Sequence, residues 1–253
     1  MYVQIWSVTM ALTALALFAV LAPSSGGTDR TRIDKQGSSP FLGRLPIEFA
    51  YWLLGPVARL AAGLELSPNV PSWTCLILGI GSGIAAGAGA IPLAGALIIT
   101  SAIFDMLDGM VARFRGIASD AGEVLDAAVD RYTEFFFLAG LCVYYRHRLW
   151  AMAIMQAALL GSMLVSYSQA KAEAMHIDAS RCWMRRPERA VYLGGGAFLS
   201  PMITIWLEAG EPQPVHYPLL VAALMVAVFS NVAAIRRFMA LYAIVKIRGD
   251  SGP

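Results

Sequence analysis

The 253-residue chain is 58% hydrophobic and only 14% charged, with a mean hydropathy of +0.62, a balance that excludes an ordinary soluble domain. Its net charge of +2, without a Gly-rich nucleotide loop carrying Lys, a nucleic-acid motif or an internal repeat, removes nucleic acid as a partner.

In chain order, seven apolar runs approach the roughly 20 residues that a membrane-spanning helix needs. They lie near 3–22, 70–91, 92–113, 122–145, 149–171, 190–207 and 217–244. All are continuous and rich in Ala and Leu, with no alternation of period two, so they predict spanning helices and not a closed barrel. The first run follows no basic segment, since Met1 to Thr28 contains no Lys or Arg, and no A-x-A site succeeds it; it reads as an anchor and not as a signal peptide. The polar stretch SSGGTDRTRIDKQGSSP is then a linker, giving an anchor-and-linker region over 1–39, a membrane domain over 40–247 and a tail over 248–253. Residues 40–66 are interrupted by Pro46 and Pro56 and mix aromatics with Arg44, Glu48, Arg59 and Glu65, which predicts an interfacial amphipathic helix. The next run begins at Pro68-Asn69, where Asn69 can cap it, and repeats Gly79, Gly83 and Gly87 at the spacing that lets helix backbones approach closely.

The third and fourth runs meet in FDMLDGMVARFRGIASDAGEVLDAAVDRYTE, which holds seven of the chain's seventeen acidic residues. At about 100° per residue, positions three apart lie roughly 60° from each other on a helix and positions four apart roughly 40°. Asp105 and Asp108 therefore share one face, as do Asp126 and Asp130. The eight residues between Arg113 and Gly122 are a short connection, so two antiparallel helices bring four carboxylates together. Such a cluster is costly unless a cation compensates it, and oxygen ligands suit a hard divalent ion, Mg²⁺ or Mn²⁺. Asp120 and Glu123 are read as solvated helix-end acids.

Later segments carry weaker signals. If the linker is cytoplasmic, sixteen of the nineteen Lys and Arg lie on that side; Arg146 and Arg148 fall in an outer loop, Arg131 inside a helix, and the outer loop near Glu208 and Glu211 is acidic. This places the N-terminus outside and the C-terminus in the cytoplasm, with the basic side suited to anionic membrane lipids. Cys75, Cys142 and Cys182 have no metal-ligand spacing and no disulfide framework. His147, His176 and His216 read as solvated loop histidines, and Tyr144, Tyr145, Trp150, Trp206 and Tyr217 as interfacial aromatics.

Asp105-x2-Asp108-Gly109-x2-Ala112-Arg113-x8-Gly122-x3-Asp126-x3-Asp130 resembles, position for position, the signature of the CDP-alcohol phosphotransferase (CDP-alcohol phosphatidyltransferase) family. The resemblance covers about residues 40–247. It implies an all-α integral membrane protein: a six-helix transmembrane core preceded by an interfacial amphipathic helix, here with one extra N-terminal transmembrane helix. It implies transfer of a phosphatidyl group from CDP-diacylglycerol, or a related CDP-linked lipid, to an alcohol, with release of CMP. By resemblance, Asp105, Asp108 and Asp126 bind the metal, and Asp130 lies beside it as general base. Asp105, Asp108, Gly109, Ala112, Arg113 and Gly122 hold the CDP group, and a homodimer is expected.

For the acceptor, SYSQAKAEAMHIDASRCWMRRPERAVY offers Ser166, Lys171, Arg185, Arg186 and Arg189, a basic set suited to a phosphorylated alcohol or to anionic lipid. Its S-Y-x-x-A-[KR]-A-E and R-x-E-R patterns resemble the phosphatidylinositol-phosphate synthase branch, which usually carries a basic residue where this chain has Gln169. The resemblance implies inositol phosphate as acceptor. The alternatives are glycerol 3-phosphate, serine or an inositol-type alcohol, another CDP-linked donor, or a carboxylate-based ion-coupled transporter.

Overall fold

A computed structural model describes residues 45–64, 69–117, 119–177, 183–208 and 213–250. The expected N-terminal anchor and linker, together with Arg44, Glu65, Pro68, Arg181, Cys182 and Glu211, lie outside the described residues. Every regular element among the described residues is a helix: α1 Leu45–Gly63, α2 Asn69–Gly87, α3 Ile91–Phe114, α4 Asp120–Tyr144, α5 Leu149–Ala174, α6 Arg186–Leu207 and α7 Tyr217–Asp250. Five of them, α2, α3, α5, α6 and α7, are long and apolar enough to cross a bilayer, as befits an integral membrane protein. α4 is of similar length, but Asp120, Glu123, Asp126, Asp130, Arg131 and Glu134 crowd the segment 120–134 and keep it out of that group.

Local chemistry sets the helix limits. Pro46, Pro71, Pro92, Pro187 and Pro218 each occupy the second or third position of a helix, where the missing N–H would have no intrahelical acceptor and the fixed φ suits helix entry. α1 continues through Pro56. α2 stops at Gly87, short of the predicted 91, because Gly89 turns to φ +83° and the Ala90 N–H returns to the Ala85 carbonyl at 2.9 Å. α3 ends in the same way at Gly116, φ +66°. α6 starts at Arg186 and not 190, because the Glu188 carboxylate accepts the backbone N–H of Arg185 at 3.0 Å and caps the first turn. α7 runs past the predicted 244 to Asp250, since Lys246 and Arg248 end the apolar run without ending the helix.

The chain divides into two compact units, one made of residues 1–78 and 100–130, the other of 79–99 and 131–253. In the first, α1 lays Leu54 and Ala58, with Tyr51 and Ala61, along Met110 and Val111 of α3. These positions recur every three to four residues, the spacing of one helix face. The other face leaves Leu53, Val57 and Leu60 exposed.

In the second unit, Phe137, Leu138 and Leu141 of α4, Met155 and Ala158 of α5, Leu193 and Ala197 of α6, and Leu219, Ala223 and Val226 of α7 form one core. Two glycines of the predicted stripe mark a close α2–α4 crossing: a Cβ on Gly79 would strike Thr133, and one on Gly83 would strike the Phe136 carbonyl. Gly87 has only ordinary contacts, 3.6 Å from Val143. Residues 213–216 form a strap held from three helices or their ends. Tyr144 and Tyr145 donate to the Pro214 and Val215 carbonyls at 2.7 and 2.5 Å, and Arg148 donates to Gln213 O at 2.6 Å. The Glu208 carboxylate accepts the backbone N–H groups of Val215 and His216. His216 is accordingly buried, at 6% exposure, against Tyr144, and Glu208 is buried too. This corrects the expectation of a solvated histidine in an acidic loop: backbone N–H groups take the carboxylate inward, and the imidazole follows. His147 and His176 are exposed, as expected.

Candidate metal and phosphate site

The acidic stretch folds as two antiparallel helix segments, the C-terminal half of α3 and the N-terminal half of α4, both in the first unit. α3 carries Asp105 and Asp108 on one face, and α4 presents Asp126 to them. One carboxylate oxygen from each of the three lies within 4.8 Å of the others. Asp130, half-buried one turn beyond Asp126, is not a member of that trio. Three carboxylates this close repel one another strongly unless a cation or protons compensate them. The donor set is all oxygen and fits a hard divalent ion.

The sequence reading missed Ser72. Its hydroxyl, buried on α2, donates to Asp108 Oδ2 at 2.7 Å, and Asp108 is itself only 7% exposed. One turn along α2, Ser101 Oγ donates to the Cys75 carbonyl at 2.8 Å, a second polar tie between α2 and α3. Neither serine belongs to a motif, and α2 carries Thr74 and Ser82 as well, so the sequence held no signal that singled out Ser72.

The remaining signature residues lie on the same two helices. Arg113 lies over Gly109: a Cβ there would meet Arg113 Nη1 at 2.9 Å, so only glycine admits the guanidinium in this position. Ala112 is half-buried on α3, one turn after Asp108. Gly122 is in the first turn of α4, where its N–H donates to Ser119 Oγ at 3.2 Å, an N-cap contact. Asp120 and Glu123 are exposed, as expected.

The acceptor candidates belong to the second unit. Ser166 Oγ returns to the Ser162 carbonyl at 3.2 Å, and Lys171 is exposed in the last turn of α5. Gln169 donates to Glu173 at 2.6 Å. Arg185 and Arg186 are half-buried at the start of α6. Arg189 is only 2% exposed: Nε and Nη2 grip the two oxygens of Glu134 at 2.6 and 2.8 Å, and Nη1 donates to Met184 O at 2.7 Å. This residue, expected on the acceptor, is here paired with a carboxylate of α4. Glu134 continues the series 126, 130, 134 along one helix face, a periodicity legible in the sequence.

Residues 65–246 match the family model described as CDP-alcohol phosphatidyltransferase. The phosphatidylinositol phosphate synthase of Mycobacterium tuberculosis (strain H37Rv) is 34% identical over 170 residues, covering 64% of this chain and 75% of its own. The crystal structure of that organism's phosphatidylinositol phosphate synthase with CDP-DAG bound aligns with a TM-score of 0.62 and 26% identity, over 73% of this chain and 90% of the other. Its complex with manganese and citrate aligns with a TM-score of 0.63 and 25% identity, over 74% and 88%.

Proposed function

This chain belongs to the CDP-alcohol phosphatidyltransferase family, and from that premise we propose that it transfers the phosphatidyl group of CDP-diacylglycerol to inositol phosphate, giving phosphatidylinositol phosphate and CMP. The observation that carries the reading is the trio Asp105, Asp108 and Asp126, three oxygen donors gathered within 4.8 Å inside an otherwise apolar protein. The names of the relatives and the solved complexes with CDP-DAG and manganese support it.

Asp105, Asp108 and Asp126 hold Mg²⁺ or Mn²⁺, with Asp130 beside them. When bound, the ion supplies Lewis-acid charge neutralisation to the diphosphate. Gly109, Ala112 and Gly122 let the cytidine diphosphate lie against backbone, and Arg113 adds a fixed positive fork for phosphate oxygens. Asp130 accepts the proton of the acceptor hydroxyl as its oxygen bonds to the lipid-side phosphorus and the bond to CMP breaks. Ser166, Lys171, Arg185 and Arg186 serve the acceptor's phosphate. Arg189 serves it indirectly, by fixing the start of α6 through Glu134.

The one-sided distribution of Lys and Arg supports a cytoplasmic membrane location with the site facing the cytoplasm. The proposed architecture is a six-helix membrane domain over 40–247 that includes α4, with α1 interfacial, preceded by an anchor and linker over 1–39, and working as a homodimer.

The test is CMP release from CDP-diacylglycerol by purified protein with Mg²⁺, offered inositol phosphate, glycerol 3-phosphate, serine or inositol separately, with Asp130→Asn alongside. Release with inositol phosphate, lost in the variant, is the expected result. Transfer to glycerol 3-phosphate but not to inositol phosphate would overturn the acceptor assignment. Ion movement without CMP release would overturn the reaction.

A further inference from the structure

We propose that Ser72 is a positioning residue for the acidic trio, its hydroxyl fixing the carboxylate of Asp108 in the orientation that a divalent cation requires. This rests on the reading of the trio as a metal site.

Serine and threonine inside helices ordinarily return their proton to the carbonyl four residues back. Thr74 does this to Val70 at 2.9 Å, as do Ser166 to Ser162 at 3.2 Å and Ser200 to Gly196 at 2.7 Å. Ser72 also reaches beyond its own helix. Its hydroxyl donates across to α3, to Asp108 Oδ2, at a distance short enough for a charge-assisted bond. Both ends are buried, each 7% exposed, so water competes little for the carboxylate. The partners are 36 positions apart in sequence, and the tie between Ser101 and the Cys75 carbonyl holds the register that brings them together.

Asp108 is a carboxylate on a short side chain whose useful orientation depends on its terminal torsion, a soft and roughly two-fold rotation. The hydrogen bond to Oδ2 restrains that rotation and so sets how the carboxylate faces the cluster. Partners that orient ligating carboxylates are worth on the order of 10–100-fold in metal affinity.

The experiment is Mn²⁺ binding to the purified full chain in detergent, read from the free-ion electron paramagnetic resonance signal, for wild type, Ser72→Ala, Ser72→Thr, Thr74→Ala and Asp108→Asn. Ser72→Ala is expected to weaken the Kd about 10–100-fold. Thr74→Ala, which loses only a local back-bond, is expected to leave it unchanged. Ser72→Thr, which keeps the hydroxyl, is expected to restore most of the affinity. CMP release by Ser72→Ala is expected to recover when Mn²⁺ is raised, so that the half-saturating metal concentration moves far more than the limiting rate. Should Ser72→Ala not fold, Ser72→Cys, with a weaker donor, is expected to give an intermediate Kd. A Kd for the Ala or Cys variant equal to wild type, with binding lost in Asp108→Asn, would overturn the role of Ser72 and leave the metal site standing. Absence of Mn²⁺ binding in wild type, or intact binding in Asp108→Asn, would overturn the site itself.

Discussion

Replacing Glu134 with Gln leaves the Arg189 guanidinium buried with no anion opposite it. The arginine is 2% exposed and gives two of its donors to the carboxylate, at 2.6 and 2.8 Å. Removing one partner of such a buried pair costs about 3–5 kcal/mol, because the survivor keeps its desolvation penalty. Glu134→Gln retains one amide oxygen and belongs at the lower end, about 3 kcal/mol. Arg189→Met strands the carboxylate and also removes the donor to Met184 O, so it belongs near the upper end, about 5 kcal/mol. Glu134→Gln combined with Arg189→Met removes both charges, and the remaining losses are the bond to the Met184 carbonyl and the partner of the buried amide, about 1–3 kcal/mol. The double-mutant cycle therefore carries a coupling of several kcal/mol. Reversible unfolding in mixed micelles measures it. Single-variant losses below about 1 kcal/mol, or losses that simply add, would refute the brace and return Arg189 to the acceptor.

Three further outcomes follow from other contacts. Gly83→Ala presses a methyl into the Phe136 carbonyl, and Gly140→Ala presses one into the Gly83 carbonyl; each is expected to lower stability by about 1–3 kcal/mol in a thermal melt. Gly109→Ala displaces the movable end of Arg113 and not backbone, so CDP-diacylglycerol turnover is expected to fall about tenfold or more while the melting temperature changes little. Burial holds the His216 pKa below its usual 6.5, aided by Arg148 and opposed by Glu208. The unfolded state therefore binds the proton more tightly, and stability present above pH 6.5 is lost as pH falls from there toward the folded-state value. His216→Gln is expected to flatten that slope in melts recorded from pH 7.5 to 5.

The helices and the aspartate trio were legible because both rest on local periodicity: apolar residues in runs, carboxylates at three- and four-residue spacing. Helix limits were read less well where hydropathy stood in for helicity, as at Lys246 and Arg248 in α7, or where a capping residue such as Glu188 lay outside the apolar run. Contacts between distant positions left no such trace. Ser72 with Asp108 and Glu134 with Arg189 are 36 and 55 positions apart, and a single sequence has no term that couples them. His216 was misread for the same reason, since its burial depends on Glu208 and Tyr144 from other helices.

The prolines that open α1, α2, α3, α6 and α7 bear on biosynthesis. A start signal held within two or three residues acts as soon as it is made, and a chain is made from its N-terminus onward. α2 and α3 can therefore take shape before α4 exists. At that stage Asp105 and Asp108 are without Asp126, and Ser72, synthesised earlier than either, is already on hand to meet Asp108. On this order one carboxylate of the trio already has its hydroxyl partner before the last one is made.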